Sequence, residues 1–408
     1  MSQIIKARHP PARKDIEVLL SSPTDTPSFI YREPTLTAAI ALFTRKINCS
    51  EVKVLYSLKP FAFADALRLV AQGVDGFSVS SLFEAKLARD ILQPNAIVQF
   101  VSPGIRQEQL PELTALCDRL TVNSLSQWRR FRRLETSGVE WGIRINPNLS
   151  FTDDSRYDPC RPHSKLGVPI EDLIRVMRTE PKLFEGLNGI HFHNNCVSTD
   201  WANLLETVRH IEWSLPGLLT KLDWINFGGG YDFSESTDFD ALNIAIDLLR
   251  SKYDLDIIIE PGAGFVNSAC YIISSVIDIF ESDGKTIAVL DTTVNHMPEI
   301  FEYQFEPDIL GEVESGTYEY ILAGCSCLAG DVFGEYAFED PLEIGQRVAF
   351  QNVGAYSLVK AHMFNGINLP SIYSMTPSGE LILKKQFTYE DFASRCGVKE
   401  HATARARA

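Results

Sequence analysis

VKVLYSLKPFAFADALRLVAQGVDGFSVSSLFEAKLARDILQPNAIVQFV (52–101) holds three short apolar runs, VKVLYSL (52–58), VDGFSV (74–79) and AIVQFV (96–101). Two segments of a different rhythm separate them. In FADALRLVAQG and SLFEAKLARDIL the apolar residues recur every three or four positions, which is the spacing of one helix face. The runs themselves are too short for helices and read as buried strands. The pattern continues through LTVN (120–123), WGIRIN (141–146), GIHFH (189–193), WINFGG (224–229) and DIIIEPG (256–262). Eight strand–helix units over roughly 200–250 residues predict a (β/α)8 barrel. An open doubly wound sheet suits the same alternation, but the count of eight favours closure.

Beyond residue 266 the texture changes. ACYIISSVIDIF, KTIAVLD, YEYILAG, RVAFQNV, SIYSM and LILKKQF are strand-like, with few helical patterns between them. The expected fold class is therefore α/β: a TIM barrel over 33–265 with a C-terminal β-barrel domain. That second domain takes 16–32 and 266–390, and IEVLL (16–20) is a further strand candidate. The ends, 1–15 and 398–408, are expected to be disordered.

The 408 residues suffice for one large domain plus a smaller one. Acidic residues outnumber basic ones 53 to 38, a formal net charge of -15, which argues against a nucleic-acid binder. The eight cysteines are scattered without a CxxC pair, so neither a zinc site nor a disulfide framework is expected. No window of the length needed to span a bilayer is apolar throughout, and the start is too polar for a secretory signal. A cytoplasmic protein without metal, membrane or nucleic-acid partner is the expectation.

In a (β/α)8 barrel the chemistry sits at the C-terminal ends of the strands. The first unit ends at Lys59, the sixth at His193, the seventh at Gly228, Gly229 and Gly230, and the eighth at Glu260. Each has an ordinary structural explanation: a snorkelling lysine, a core histidine, a tight strand exit, a rim carboxylate. One rim carries all four, and they suit one task. A lysine desolvated among apolar neighbours forms a Schiff base, and glycines let backbone N–H groups approach a phosphate. A histidine can stack on a ring, and a carboxylate can keep a pyridine nitrogen protonated. That set is what pyridoxal 5′-phosphate requires. The β-rich part adds CSCLAGD (325–331), whose Cys327 and Asp331 read either as turn residues or as site residues, and GAYSLVKAHMFNG (354–366), whose Tyr356 reads either as a buried tyrosine with a satisfied hydroxyl or as a phosphate ligand.

On RINPNLS with YDPCRPHSKLGV (144–168), LDWINFGGGY (222–231), HMPEIFEYQFEP (296–307), CSCLAGD and AYSLVKAHMFNGINLPSIY (355–373), the chain resembles the alanine-racemase-like, fold-type III pyridoxal-phosphate decarboxylases. Within them it is most similar to the carboxynorspermidine/carboxyspermidine decarboxylase subgroup. Ornithine decarboxylases have an acidic residue after the loop cysteine, where this chain has Leu328. The resemblance implies a decarboxylase of a carboxylated amine working as a homodimer with shared sites. Lys59 would hold the cofactor, His193 stack on its ring and Glu260 face its nitrogen. Gly228, Gly229, Gly230 and Tyr356 would bind the phosphate. Cys196 stands at a phosphate-binding position, and Arg144 would orient groups beneath the cofactor. Cys327, reaching the partner's site, would return a proton. Asp291, His296 and Asp331 would contact substrate.

The chain departs from the subgroup at Ala263, where EPGE is usual, and at Val197, where a glutamate usually follows the HxxC cysteine. One charged hydrogen bond is worth about 1.5–3 kcal/mol, so losing two shifts specificity by orders of magnitude. A related decarboxylase acting on another amino acid or an aminoacyl conjugate is the alternative. A racemase needs a second base, commonly a tyrosine, where CSCLAGD stands. A non-catalytic homologue does not need the intact rim.

Overall fold

The computed structural model describes residues 18–21, 24–47, 52–134, 138–152, 154–313 and 315–398. They form two compact units, Thr37–Phe265 and a second that joins residues before 37 to those from Val266 onward. The ends expected to be disordered lie outside the described residues, Val398 excepted. The described part of the IEVLL strand candidate, 18–20, is helical instead, with Leu19 fully buried in the core of the second unit. A run of consecutive apolar residues carries neither period, so it does not separate strand from helix.

Strand β1 (Ser28–Arg32) belongs to the second unit. The first unit contains β2 (Val52–Ser57), β3 (Gly76–Val79), β4 (Ile97–Val101), β5 (Arg119–Val122) and β6 (Glu140–Asn146). After a two-residue strand, β7 (Val168–Pro169), come β8 (Gly189–His191), β9 (Trp224–Asn226) and β10 (Asp256–Ile259). Apart from β7, each pairs in parallel with its neighbours, and β10 returns to β2 with Ile257 opposite Val52. This closed ring of eight is the expected barrel and excludes the open sheet.

Local sequence starts the helices between them. Ser81 accepts the Glu84 N–H at 3.1 Å while Glu84 reaches back to the Ser80 N–H at 2.6 Å, which caps Leu82–Ile91. Ser124 and Gln127 repeat the device ahead of Leu125–Phe131. Each satisfies orphan donors of a first turn.

Trp224, Leu55 and Ile258 form a cluster in the barrel, all fully buried. Two glycines make room for the indole: a Cβ on Gly142 would lie 2.3 Å from the Trp224 ring, and one on Gly189 2.1 Å. The Arg119 guanidinium lies 5.4 Å from that ring and pairs with Glu140 at 2.7 Å. Gly189→Ala is therefore expected to overpack the barrel and cost about 1–3 kcal/mol, read as a lower urea midpoint at unchanged m-value.

The second unit is an eight-stranded mixed sheet of β1 with β11 (Cys270–Ser282), β12 (Lys285–Leu290), β13 (Tyr318–Ala323), β14 (Val332–Phe338), β15 (Arg347–Gln351), β16 (Ser371–Met375) and β17 (Leu381–Lys385). Pairing branches at the 13-residue β11, whose first half pairs with β1 and β15 and whose second half pairs with β12. Strand β14 was not among the sequence expectations. Gly334 and Glu335 interrupt the apolar run of VFGEYAF that would have marked it.

Candidate active site

The strands that carry the site end two or three residues earlier than their apolar runs do. β8 stops at His191, β9 at Asn226 and β10 at Ile259. The residues that follow leave the ladder and bond one another. The Phe192 N–H donates to the Asn226 carbonyl at 3.0 Å, and the Glu260 N–H to the Gly228 carbonyl at 2.8 Å. Gly228 and Gly230 have φ of +67° and +93°, a region open to glycine and strained for most residues. Space is closed to side chains as well. A Cβ on Gly229 would lie 2.1 Å from the Glu260 carbonyl oxygen, and one on Gly230 2.3 Å from that of Asn195.

Asn226 joins two parts of this rim. Its Nδ2 donates to Glu260 Oε1 at 2.7 Å, and its Oδ1 accepts the Gly228 N–H at 2.8 Å. The ring of His193 accepts the Gly229 N–H through Nδ1 at 3.0 Å, so its other nitrogen carries the proton. Enclosure by protein, followed by the charges of Lys59 and Arg144, holds the His193 imidazole well below its usual range. It remains neutral although part of the residue reaches solvent.

Glu260 is buried. Burial alone would raise its carboxyl, but contacts from His191, Asn226 and Ser78 outweigh this and lower it, so it is a carboxylate. Beside it His191 is 1% exposed, with Nε2 3.4 Å from Glu260 Oε2. Burial, opposed by Glu260 and aided by Arg144 and Lys59, keeps this imidazole neutral. Arg144 is buried too, and burial pushes its guanidinium down to about 10 against the pull of Glu260. It reaches the His193 carbonyl at 3.4 Å, while its Nε has no hydrogen-bond partner among the described residues. Near it stands Cys160 of the YDPC run, its thiol pushed up to about 12 by burial and Asp158.

Lys59 stands in the turn after β2, between fully buried Leu58 and Phe61, and the Phe61 N–H closes that turn on the Leu58 carbonyl at 3.1 Å. The desolvation expected of Lys59 is not found, because the residue is exposed. It lies past the strand end, in the turn that follows β2. Its charge nevertheless acts on His191, His193 and Glu84, which places it at the same mouth. Cys196 follows two buried asparagines, and its N–H donates to Asn195 Oδ1 at 3.1 Å. The next residue, Val197, is 54% exposed with φ of +52°. A β-branched residue in that region is strained. Val197→Asn is expected to gain about 1 kcal/mol, visible as a higher urea midpoint, because asparagine tolerates the left-handed conformation.

The remaining sequence candidates belong to the sheet unit. Tyr356 has φ of +60°. Cys327 is exposed, and its N–H donates to Asn365 Oδ1 at 2.9 Å, which ties CSCLAGD to the FNG turn. Asp331 is buried and accepts from the Val294 N–H at 2.7 Å and the Ser326 N–H at 3.0 Å. Asp291 accepts from Thr26, Ser274 and the Ser275 N–H. Both carboxylates are thus engaged within their own unit, organising loops. His296 is 1% exposed, bonded to Thr292 Oγ1 at 2.9 Å, and burial pushes it down to about 4. Three site neighbours were missed from sequence: His191, Asn226 and Ser78. The period-2 reading of GIHFH and WINFGG could have placed His191 and Asn226 inward with His193 and Gly228.

Neutral buried histidines set a pH dependence. The unfolded chain binds protons near 6.5 that folded His191, His193 and His296 refuse, so stability is complete above that value and falls as pH drops below it. His296 alone removes about 3 kcal/mol by pH 4. Urea midpoints measured from pH 8 to pH 4 check this.

The residues fit pyridoxal 5′-phosphate. An amine and an anionic carboxylate share one barrel mouth, a glycine turn has no room for Cβ atoms, and a buried guanidinium keeps an unpartnered Nε. The family described as pyridoxal-dependent decarboxylase, C-terminal sheet domain, matches residues 29–354. The chain is 34% identical to the carboxyaminopropylagmatine decarboxylase of Synechocystis sp., over 91% of this chain and 95% of the relative. It is 30% identical to the carboxynorspermidine/carboxyspermidine decarboxylase of Campylobacter jejuni, over 91% and 98% respectively. The solved structure of carboxynorspermidine decarboxylase from Campylobacter jejuni, complexed with norspermidine, matches with a TM-score of 0.81 at 29% identity, covering 91% of this chain and all of that one. A closed barrel whose strand ends suit that cofactor, matched over nine-tenths of its length by such enzymes, belongs to the pyridoxal-dependent decarboxylase family, and pyridoxal 5′-phosphate is its cofactor.

Proposed function

We propose that this enzyme removes the carboxylate of a carboxylated polyamine of the carboxynorspermidine, carboxyspermidine or carboxyaminopropylagmatine type. The observation that carries this reading is identity of 30–34% over 91% of the chain to relatives named for those substrates. Bound pyridoxal 5′-phosphate supplies the electron sink for the charge left when CO2 departs. Lys59 would hold it by its amine. Glu260, kept anionic by its neighbours, holds a proton at the ring nitrogen. His193, fixed by the Gly229 N–H, would cover a ring face; the Gly228–Gly230 turn would receive the phosphate, with the Gly230 N–H as donor because those of Gly228 and Gly229 are engaged by Asn226 and His193, and with Tyr356 and Cys196 as further ligands. Arg144 orients groups beneath. Cys327 of the partner subunit would return a proton to the reacting carbon; Asp291 and Asp331, engaged within their own unit, and buried His296 would shape the loops on that side and not meet substrate themselves. Cys327, Asp331 and the homodimer are drawn from the family resemblance, as is Tyr356. The cytoplasmic location rests on the scattered cysteines.

A shared site has a quantitative signature. Lys59→Ala and Cys327→Ala homodimers are each expected to be inactive. Subunit mixing at random leaves one intact site in half the dimers, so activity returns to about a quarter of wild type. No recovery on mixing rejects the shared site.

Substrate choice is tested by CO2 release from carboxynorspermidine, carboxyspermidine, carboxyaminopropylagmatine, diaminopimelate, ornithine, lysine, glutamate and aspartate. A kcat/KM for one of the first three at least about 100-fold above the rest is the expected result. A preference for any of the others overturns the polyamine assignment. A second reading, an amino acid or aminoacyl conjugate, has its own support: exposed Val197 and Ala263 offer no carboxylate to a distal ammonium.

A further inference from the structure

We infer that His191 is a positioning residue: its imidazole, set beside the Glu260 oxygen that Asn226 leaves free, keeps that carboxylate ionised and fixed so that a proton stays on the cofactor's ring nitrogen. The inference deepens the proposed reading of Glu260 and rests on it. Nothing in the composition of a barrel core requires a histidine at this position. β8 is three residues long and otherwise apolar or glycine, and an aliphatic side chain would fill the place without burying two ring nitrogens.

The geometry limits what His191 can do. It is 1% exposed, so it neither exchanges protons with solvent nor meets substrate. Neither ring nitrogen meets hydrogen-bond geometry among the described residues, but Nε2 lies 3.4 Å from Glu260 Oε2, close enough for an ion–dipole contact. The other oxygen, Oε1, accepts from Asn226 at 2.7 Å. The charged groups acting on the ring are Glu260 on one side and Arg144 and Lys59 on the other. Two nearby cations and burial disfavour an imidazolium, so the ring is a neutral donor. A neutral ring beside an anion favours the tautomer with its proton on the nearer nitrogen, Nε2. Each oxygen of Glu260 then has a side-chain nitrogen beside it from a different strand, His191 on β8 at 3.4 Å and the hydrogen-bonded Asn226 on β9.

The consequence concerns where a shared proton rests. A donor on the far side of a carboxylate stabilises its anionic form and lowers its proton affinity. Between Glu260 and a pyridine nitrogen, that bias keeps the proton on nitrogen. Loss of the donor returns the proton toward Glu260.

The test uses full-length protein loaded with pyridoxal phosphate carrying 15N in the ring. The 15N shift reports ring protonation, and equilibrium dialysis gives the cofactor Kd; neither depends on turnover. In His191→Phe, which keeps a ring of similar volume, the nitrogen is expected to move toward its deprotonated shift and Kd to rise about tenfold. His191→Gln, which retains an N–H donor, is expected to return Kd to within about threefold of wild type, a rescue that a packing role does not predict. His191→Asn, whose shorter amide stops short of Glu260, serves as the loss variant if the phenylalanine protein does not fold. In a Glu260→Gln background His191→Phe is expected to add nothing further. An unchanged ring shift and Kd in both loss variants, or additivity with Glu260→Gln, overturns the inference. If Glu260→Gln itself leaves shift and Kd at wild-type values, the reading of Glu260 fails first. If Glu260→Gln has its effect and the His191 variants do not, only the role of His191 is lost.

Discussion

Lys59→Ala is expected to release CO2 at least about 10³-fold more slowly than wild type and to lose the visible absorption band of bound cofactor. The size follows from the task. A group that bonds to the cofactor and exchanges with the substrate amine has no substitute once its nitrogen is gone. Position makes the experiment clean. Lys59 is exposed, in a turn that Leu58 and Phe61 close through backbone atoms, so truncation leaves the barrel intact. Its stability change is expected to stay within about 0.5 kcal/mol by urea titration. A variant that keeps both the band and CO2 release would falsify the assignment.

Glu260→Ala is the second large effect, a loss on the order of 10²–10³ in kcat. Two penalties are mixed in it. The ring nitrogen loses the carboxylate that holds its proton, and the buried Asn226 Nδ2 and His191 Nε2 lose their shared acceptor, at a stability cost of about 1–3 kcal/mol. Glu260→Gln separates them. It keeps the volume and an acceptor for Asn226, so stability is expected to recover. It cannot hold a proton on the ring, so activity is expected to remain low. Wild-type kcat in the glutamine variant rules out the ring-nitrogen role.

These residues were found because the barrel makes strand ends legible. Apolar runs with helical segments between them identify eight strands without tertiary information, and the fold then states which end carries the chemistry. Lys59, His193, the glycine turn and Glu260 follow from that rule alone. His191 and Asn226 do not, since their roles depend on contacts with Glu260 that form only when β8, β9 and β10 lie side by side. Exposure of Lys59 was likewise hidden, because the sequence shows apolar neighbours but not that the chain turns away from them. In the sheet unit, IEVLL misled because an apolar run carries no period. β14 was missed because glycine and glutamate sit where its run is read. The carboxylates of Asp291 and Asp331 look like free ligands in sequence; their partners, Thr26, Ser274, Ser275, Val294 and Ser326, are brought to them by folding.

The Trp224 indole, seated where Gly142 and Gly189 have no side chains, binds three positions on three strands into one inheritance. None of them can drift alone. A larger residue at either glycine is tolerable only after Trp224 has shrunk, and a smaller residue at 224 leaves a void until a glycine has grown. The strand that carries this indole also carries Asn226 and leads into the glycine turn, so the register of the proposed site is fixed by the same compact. Descendants of this sequence should therefore exchange the three together or not at all. Gly189→Ala, harmful alone, should be close to neutral beside Trp224→Phe, with a coupling energy of about 1 kcal/mol or more.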